Sequence, residues 1–146
     1  MTILFYSQDQ DGNRIGVPVS GQTPPYPDSS RLDGNWCYLE KLSVDHAVAL
    51  TEVFAGHHDN WVWLPYGPID DVAAMGDWIN QFTSANDPLF YVVRRQSDRI
   101  IMGVLSFLRI DPANRSIEVG HINFAPIMQR TPMATEAVFL TMKWAF

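Results

Sequence analysis

Cysteine, basic residues and long apolar runs are all scarce in this sequence, and each scarcity argues against a class of protein. The single cysteine, Cys37, cannot form a disulfide within the chain, which favours a reducing, cytoplasmic setting. Lysine and arginine total 10 against 16 acidic residues, without a basic cluster, which argues against nucleic acid or an anionic membrane surface as a partner. No apolar run approaches the roughly 20 residues of a membrane-spanning helix. Residues 1–10 lack the basic start of a secretory signal.

The remaining composition fits one globular domain. The 146 residues are 47% hydrophobic and 18% charged, which is enough apolar material for a buried core. Residues 1–35 are rich in Gly, Pro, Ser and Asp, so we expect an extended N-terminal arm with little secondary structure. The domain itself should occupy residues 36–146.

Hydrophobic spacing predicts an α/β fold with the order β-α-α-β-β-β-α. The predicted elements are a strand over 36–42, a helix capped by Asp45, an aromatic loop over 57–68, a helix capped by Asp70 or Asp71, strands over 89–95, 100–110 and 116–124, and a final helix over 131–146. The run 100–110 is nearly all apolar, which predicts burial on both faces. It should pair antiparallel with 116–124 through the turn at Asp111–Asn114.

The start of the last helix has features of an anion site. Thr131 is suited to the N-cap, and Pro132 to the first helical position, where its missing N–H costs nothing. The unpaired N–H groups of Met133 and Ala134, with Arg130 beside them, could hold a phosphate. The alternative is an ordinary capped helix, because every helix begins with unpaired N–H groups.

The strand over 116–124 and the turn after it resemble one protein family. The turn is Gln129-Arg130-Thr131-Pro132-Met133-Ala134, followed by Thr135-Glu136-Ala137. This resembles the pyrophosphate loop of the GNAT superfamily of acyl-CoA N-acyltransferases, whose pattern is Gln/Arg-x-x-Gly-x-Gly/Ala, with Pro132 where the family usually has glycine. The likeness is greatest to the branch with ribosomal-protein N-terminal acetyltransferases. It extends over 36–146 through the segments Trp63–Pro68, Asp87–Phe90, Arg109–Pro112 and Glu118–His121.

The resemblance implies a GNAT-like mixed, mostly antiparallel sheet flanked by helices. It also implies acetyl-CoA as the acyl donor and a primary amine as the acceptor. The implied cofactor contacts are Ile122, Asn123, Phe124, Gln129, Arg130, Thr131, Met133 and Ala134. In the family more chain follows this helix, including a strand that forms one wall of the cofactor slot. We therefore expect 36–146 to be a C-terminally incomplete domain; the alternative is a truncated or degenerate member that binds a partner without catalysis.

Two residues on the strand over 116–124 are candidates to take the proton that an attacking amine loses. Glu118 and His121 have the right chemistry, and a frequent carboxylate on this strand of the family favours Glu118. Alternation along a strand predicts that they point to opposite faces, so that only one reaches a given site. The structural alternative is a Glu118 bonded to the neighbouring strand and a His121 packed in the core.

Two other groups of residues are candidate sites. His57, His58 and Asp59 lack the convergent spacing of a zinc site, so we expect no metal. The aromatic residues Trp61, Trp63 and Tyr66 either line an acceptor pocket or cover the core.

The last helix carries a further apolar surface. Val138, Phe139, Met142, Ala145 and Phe146 form one stripe, with Leu140 and Trp144 off it. We expect a symmetric homodimer that buries Trp144 and the free side of the strand over 116–124. The alternative is that the N-terminal arm folds back and covers them.

Overall fold

A computed structural model describes residues 6–16 and 21–146, so part of the predicted arm lies outside the described residues. The strands are β1 Ser7–Gln8, β2 Arg14–Ile15, β3 Arg31–Asp33, β4 Cys37–Lys41, β5 Leu89–Arg95, β6 Ile101–Asp111 and β7 Ser116–Phe124. The α-helices are α1 Ala47–Phe54, α2 Val72–Thr83 and α3 Pro132–Ala145. Short 3-10 turns cover Val44–His46 and His58–Trp61. No helix of this described part is long and apolar enough to cross a bilayer.

A five-stranded antiparallel sheet forms the centre of the fold, with the order β3-β4-β5-β6-β7. This confirms the predicted mixed α/β class with a mostly antiparallel sheet flanked by helices. The predicted antiparallel pairing of β6 with β7 is also confirmed. Because β7 is last in the order, its outer side is an open sheet edge in the part of the chain described.

The N-terminal arm contains more secondary structure than its composition predicts. β1 and β2 form a small separate sheet, and β3 joins the central sheet beside β4. In β3 the buried Leu32 stands between two exposed charged residues, Arg31 and Asp33, which is the alternation of a half-buried edge strand. Only three residues carry that pattern, which is too short to predict a strand so soon after three prolines.

Two apolar layers cover the sheet, one on each face. On one face, called here the α1–α2 side, α1 and α2 pack on residues such as Phe90, Val92 and Val104. On the other face, the α3 side, α3 packs on residues such as Tyr91, Leu105 and Phe107. The first seven residues of β6 are therefore buried on both faces, as predicted.

The first two helices begin differently from each other. The prediction that Asp45 caps the first helix is wrong: Ser43 is the N-cap of a 3-10 turn that precedes α1, and His46 is the N-cap residue of α1 itself. The backbone N–H of Ser43 donates to Nδ1 of His46 at 3.0 Å, because histidine here takes the place that Glu or Gln has in a capping box. The second prediction is confirmed, since the Asp71 carboxylate accepts from the N–H of Ala74 at 2.8 Å.

The buried face of α3 is not the predicted stripe. Glu136, Ala137, Leu140 and Thr141 face the sheet. The stripe residues Phe139 and Met142 are 56% and 49% exposed. The apolar residues of α3 are spread around the helix, so their spacing does not identify the face that contacts the sheet.

The N-terminal arm covers Trp144 within one chain. The indole N–H of Trp144 donates to Oγ of Ser29 at 2.9 Å, and its ring lies 5.7 Å from that of Phe107. This agrees with the alternative that the arm folds back, so burial of Trp144 does not require a dimer.

A buried carboxylate fastens α3 to the turn between β3 and β4. Glu136 accepts from the backbone N–H groups of Asn35, Trp36 and Cys37 at 2.7, 2.7 and 2.9 Å. Burial alone would raise the pKa of Glu136, but these backbone donors together lower it. The sequence motif that resembles the family contains Glu136 but gives it no role. In the structure, the contacts of Glu136 stabilise the fold.

Candidate active site

A β-bulge interrupts β7 in its second half. Val104 pairs with Asn123 and Ser106 with Gly120, so one β6 residue lies opposite both His121 and Ile122. His121 has a φ of 49°, which is uncommon for a residue with a side chain. The extra residue breaks the alternation of side chains along the strand.

The bulge places both acid–base candidates on the same face of the sheet. Ile117 and Val119 pack on the α3 side, so Glu118 between them points to the α1–α2 side. The ring of His121 contacts aromatic residues of that same side. The prediction of opposite faces is therefore wrong, because simple alternation fails at the two-residue bulge.

His121 lies against a group of aromatic rings. Its ring stacks on Tyr66 with centroids 5.6 Å apart and an angle of 19°, and it also contacts Phe82 and Phe90. Nδ1 of His121 is 3.0 Å from the hydroxyl oxygen of Tyr66. Burial lowers the pKa of His121; the Glu118 carboxylate raises it, and the Arg109 guanidinium lowers it. The imidazole is consequently neutral near pH 7.

The aromatic loop contributes to both the core and the site. Trp61 is buried in the core of the α1–α2 side, and Trp63 is 93% exposed. Tyr66 is the residue that reaches His121. Trp61 therefore covers the core, and the acceptor-pocket role of Trp63 and Tyr66 stays a prediction.

Glu118 forms an ion pair with Arg109 of the neighbouring strand. Arg109 lies at a second bulge and has a φ of 48°. The two oxygens of the Asp87 carboxylate accept from the N–H groups of Arg109 and Ile110, each at 3.0 Å. Asp87 thus holds the irregular backbone that presents Arg109 to Glu118.

The end of β7 offers backbone groups to the open edge. The N–H of Ala125 donates to the carbonyl of Met102 at 2.8 Å, so the N–H and C=O of Phe124 point the opposite way, outward. The Phe124 carbonyl accepts from the side-chain amides of Asn60 and Gln129, each at 2.9 Å. These two bonds fix the strand end against the loop and the turn.

The other two strand residues implied as cofactor contacts differ in exposure. Ile122 is 42% exposed, whereas Asn123 is 2% exposed. The side-chain amide of Asn123 has no hydrogen-bond partner in residues 6–16 and 21–146.

The start of α3 has the predicted cap residues with a different hydrogen-bond pattern. Thr131 is the N-cap and Pro132 the first helical residue. The Thr131 hydroxyl donates to the carbonyl of Met128 at 2.6 Å and does not cap the helix. Ala134 is not a free donor as predicted, because its N–H donates to the Thr131 carbonyl at 3.2 Å. This tight first turn leaves the N–H of Met133 unbonded within the described residues.

The charged and polar side chains of this turn also differ in direction. Arg130 is exposed, has a φ of 60° and forms no ion pair with any described residue. Gln129 turns back, and its amide donates to Asn60 and Phe124. Arg130 is therefore the charged group of the turn that a ligand can reach.

An open depression of about 520 Å³ continues from this turn along the outer face of α3. Its lining consists of Arg130, Thr131, Ala134, Thr135, Val138, Phe139 and Met142. One end is polar and cationic and the other is apolar. Val138, Phe139 and Met142 of the predicted stripe thus form the apolar end of a groove.

His58 and Asp70 form an exposed pair at 2.8 Å. In the described ranges, no three His, Cys, Asp or Glu side chains lie close enough together to hold a metal ion.

The antiparallel sheet flanked by helices is shared with solved structures of the GNAT class of acetyltransferases. One is a probable acetyltransferase (GNAT family) from Chromobacterium violaceum, with 34% identity and a TM-score of 0.78 over 90% of this chain and 71% of that chain. A GCN5-related N-acetyltransferase from Brucella melitensis has 32% identity and a TM-score of 0.80 over 86% of this chain and 58% of that chain. An acetyltransferase (GNAT family) from Bacillus anthracis, at 19% identity and a TM-score of 0.65 over 80% of this chain and 66% of that chain, shares the fold.

The chain belongs to the GNAT family of acetyltransferases. No family model matches it, and no curated protein matches it. The narrower assignment to the ribosomal-protein branch and the truncation after α3 stay predictions.

Proposed function

We propose that this chain transfers an acetyl group from acetyl-CoA to a primary amine by direct attack. One observation carries the proposal: the outward N–H of Phe124 lies between the bulge that holds His121 and the uncapped start of α3. A backbone donor at an open strand edge suits the oxygen of a thioester carbonyl, whose negative charge grows as the amine attacks.

The residues of the turn and of α3 fit a phosphorylated acyl donor. The free N–H of Met133, the positive end of α3 and the exposed Arg130 would hold its phosphates. The apolar end of the groove, at Phe139 and Met142, would contact its less polar parts. Acetyl-CoA supplies the acyl group as a thioester. Phe124 then orients the carbonyl through its N–H.

We assign proton transfer to Glu118, with His121 beside it in the site. An amine in water is mostly an ammonium ion, and it must lose a proton before its nitrogen can attack. Glu118 is 46% exposed on its side chain, so an incoming ammonium group can reach it and compete with Arg109 for the carboxylate. The nitrogen–carbon bond then forms, the carbon–sulfur bond breaks, and the sulfur leaves as a thiol after taking the second proton that the nitrogen loses.

Calorimetry with acetyl-CoA tests the binding half of this proposal. Ala134→Asp should abolish binding, because it fills the start of the groove and adds negative charge beside the phosphates. Ala113→Asp, in the exposed turn between β6 and β7, is the matched control and should bind as wild type does. Equal affinity of wild type and Ala134→Asp would place the site elsewhere.

An acetyl-transfer assay over a panel of primary amines tests the chemical half. Glu118→Gln should lower kcat at least about 100-fold while acetyl-CoA binding is kept. Binding by wild type without transfer to any amine would favour the alternative of a degenerate, non-catalytic member.

We further propose that, in the absence of acetyl-CoA, two copies associate through the open edge of β7 and the exposed residues of α3, since both leave unpaired or apolar surface; acetyl-CoA would compete for this surface. We place the protein in the cytoplasm. Cys37 is buried and is not in a disulfide. The pKa of its thiol is raised to about 12, mainly by burial and also by the nearby Glu136 carboxylate. An inert thiol of this kind suits a reducing compartment.

A further inference from the structure

The contact between Tyr66 and His121 can be made in two ways. Either the Tyr66 hydroxyl donates to Nδ1, or a protonated Nδ1 donates to the hydroxyl oxygen; the distance of 3.0 Å allows both. Among the described residues the hydroxyl has no second partner, and Nε2 of His121 has none either. The direction of this one bond therefore fixes the location of the ring proton.

The surroundings of Tyr66 favour the first arrangement. Its ring lies among apolar rings, with centroids 6.2 Å from Trp61, 5.4 Å from Trp78 and 5.3 Å from Phe82. If Nδ1 carried the proton, the phenol hydrogen would have no acceptor among the described residues in this half-buried position, which is unfavourable. If the phenol donates, its hydrogen is satisfied and the ring proton of His121 sits on Nε2, which is free to bind a ligand.

The charged groups around the ring are consistent with a neutral imidazole. Glu118 on β7 and Arg109 on β6 act on its charge in opposite directions, and Tyr66 faces it from the loop before α2. Glu118 is already engaged by Arg109, which reduces its ability to stabilise a protonated imidazole.

We propose that Tyr66 is a positioning residue that donates its hydroxyl hydrogen to Nδ1 and so holds the proton of neutral His121 on Nε2. His121 then donates a hydrogen bond from Nε2 to an oxygen of the bound substrates, and it does not take the proton of the amine. This rests on the proposed acetyl transfer and deepens it, because it separates the roles of the two candidates and leaves the proton to Glu118.

Nitrogen-15 NMR of the labelled protein at pH 7.5 tests the proposal without any substrate. His46 is an internal reference, since its Nδ1 accepts from a backbone N–H and its proton must be on Nε2. We expect His121 to show the same pattern as His46 in wild type, and a mixture of both tautomers in Tyr66→Phe. His121→Gln identifies the signal, and a protonated Nδ1 in wild type would overturn the proposal.

Kinetics give the second readout. The acidic limb of the pH profile of kcat/KM should persist in His121→Gln and Tyr66→Phe, with kcat lowered roughly tenfold in Tyr66→Phe. Movement of that limb to lower or higher pH in Tyr66→Phe would identify His121 as the base and contradict the proposal. If no amine is acetylated, the proposed function fails, but the tautomer of His121 still decides the role of Tyr66.

Discussion

Glu136 occupies the space that a side chain at Gly34 would need. A Cβ added to Gly34 would lie 2.5 Å from the carboxylate carbon of Glu136 and 2.8 Å from the carbonyl oxygen of Cys37. The missing side chain of one residue therefore lets the carboxylate of the other reach three backbone donors. This contact joins the β3–β4 turn to the helix that begins the cofactor groove.

Gly34→Ala should lower the free energy of unfolding by about 1–3 kcal/mol, because the new methyl group displaces the Glu136 carboxylate from its donors. Urea unfolding followed by circular dichroism measures the change. Gly16→Ala is the control, since nothing lies within 4 Å of its added Cβ, and it should leave stability unchanged. A stable Gly34→Ala would show that the turn yields at little cost.

Glu136→Gln should cost about 2 kcal/mol at pH 7, because an amide accepts the three N–H bonds less strongly than a carboxylate and brings its own donors. The pKa of Glu136 is lowered on folding, so its charge stabilises the protein above the unfolded pKa of about 4.3, and this stability is lost as pH falls through the folded pKa. Wild type should thus lose more stability than Glu136→Gln between pH 6 and pH 3. Parallel acid curves for the two proteins would contradict this, and Glu52→Gln on the exposed side of α1 is the control.

Arg130→Ala should weaken acetyl-CoA binding by about five- to tenfold at low salt and by less at high salt, since the lost attraction is a screened one. Calorimetry at two salt concentrations measures both effects. Arg99→Ala is closely matched, because Arg99 is also an exposed arginine with positive φ but lies in the turn between β5 and β6. A similar loss in both variants would mean that overall charge, and not this site, sets the affinity.

Without acetyl-CoA present, Phe139→Lys should convert the proposed dimer into a monomer in sedimentation at micromolar concentration, because it places a charge in the exposed apolar surface of α3. Val48 is exposed to a similar degree on α1, so Val48→Lys should leave the dimer intact. A wild-type protein that sediments as a monomer would reject the dimer.

The sequence correctly predicted the structural features that depend on the spacing of neighbouring residues. Short apolar segments and capping residues are enough to predict the bounds of β5 and β7, the burial of β6 and the cap at Asp71. The start of α3 at Pro132 is of the same kind.

Distant contacts could not be predicted in this way. The donors to Glu136 lie about a hundred residues before it, and Tyr66 meets His121 only because the loop folds over the sheet. The bulge at His121 depends on the pairing of β7 with β6, and no residue type marks it in the sequence. That bulge changed the geometry of the candidate site most, since it moved both acid–base candidates to one face.

The hydrogen bond between Ser29 and Trp144 spans 115 positions of the chain. During synthesis the arm leaves the ribosome long before α3 exists, so the turn that serves Glu136 and the arm that covers Trp144 must wait for their partners. Contacts so far apart in sequence form slowly, because a long loop must close before they gain any stability. The groove along α3 should therefore be among the last parts of the protein to become ordered. Until then, the apolar residues that these contacts cover stay exposed on the nascent chain.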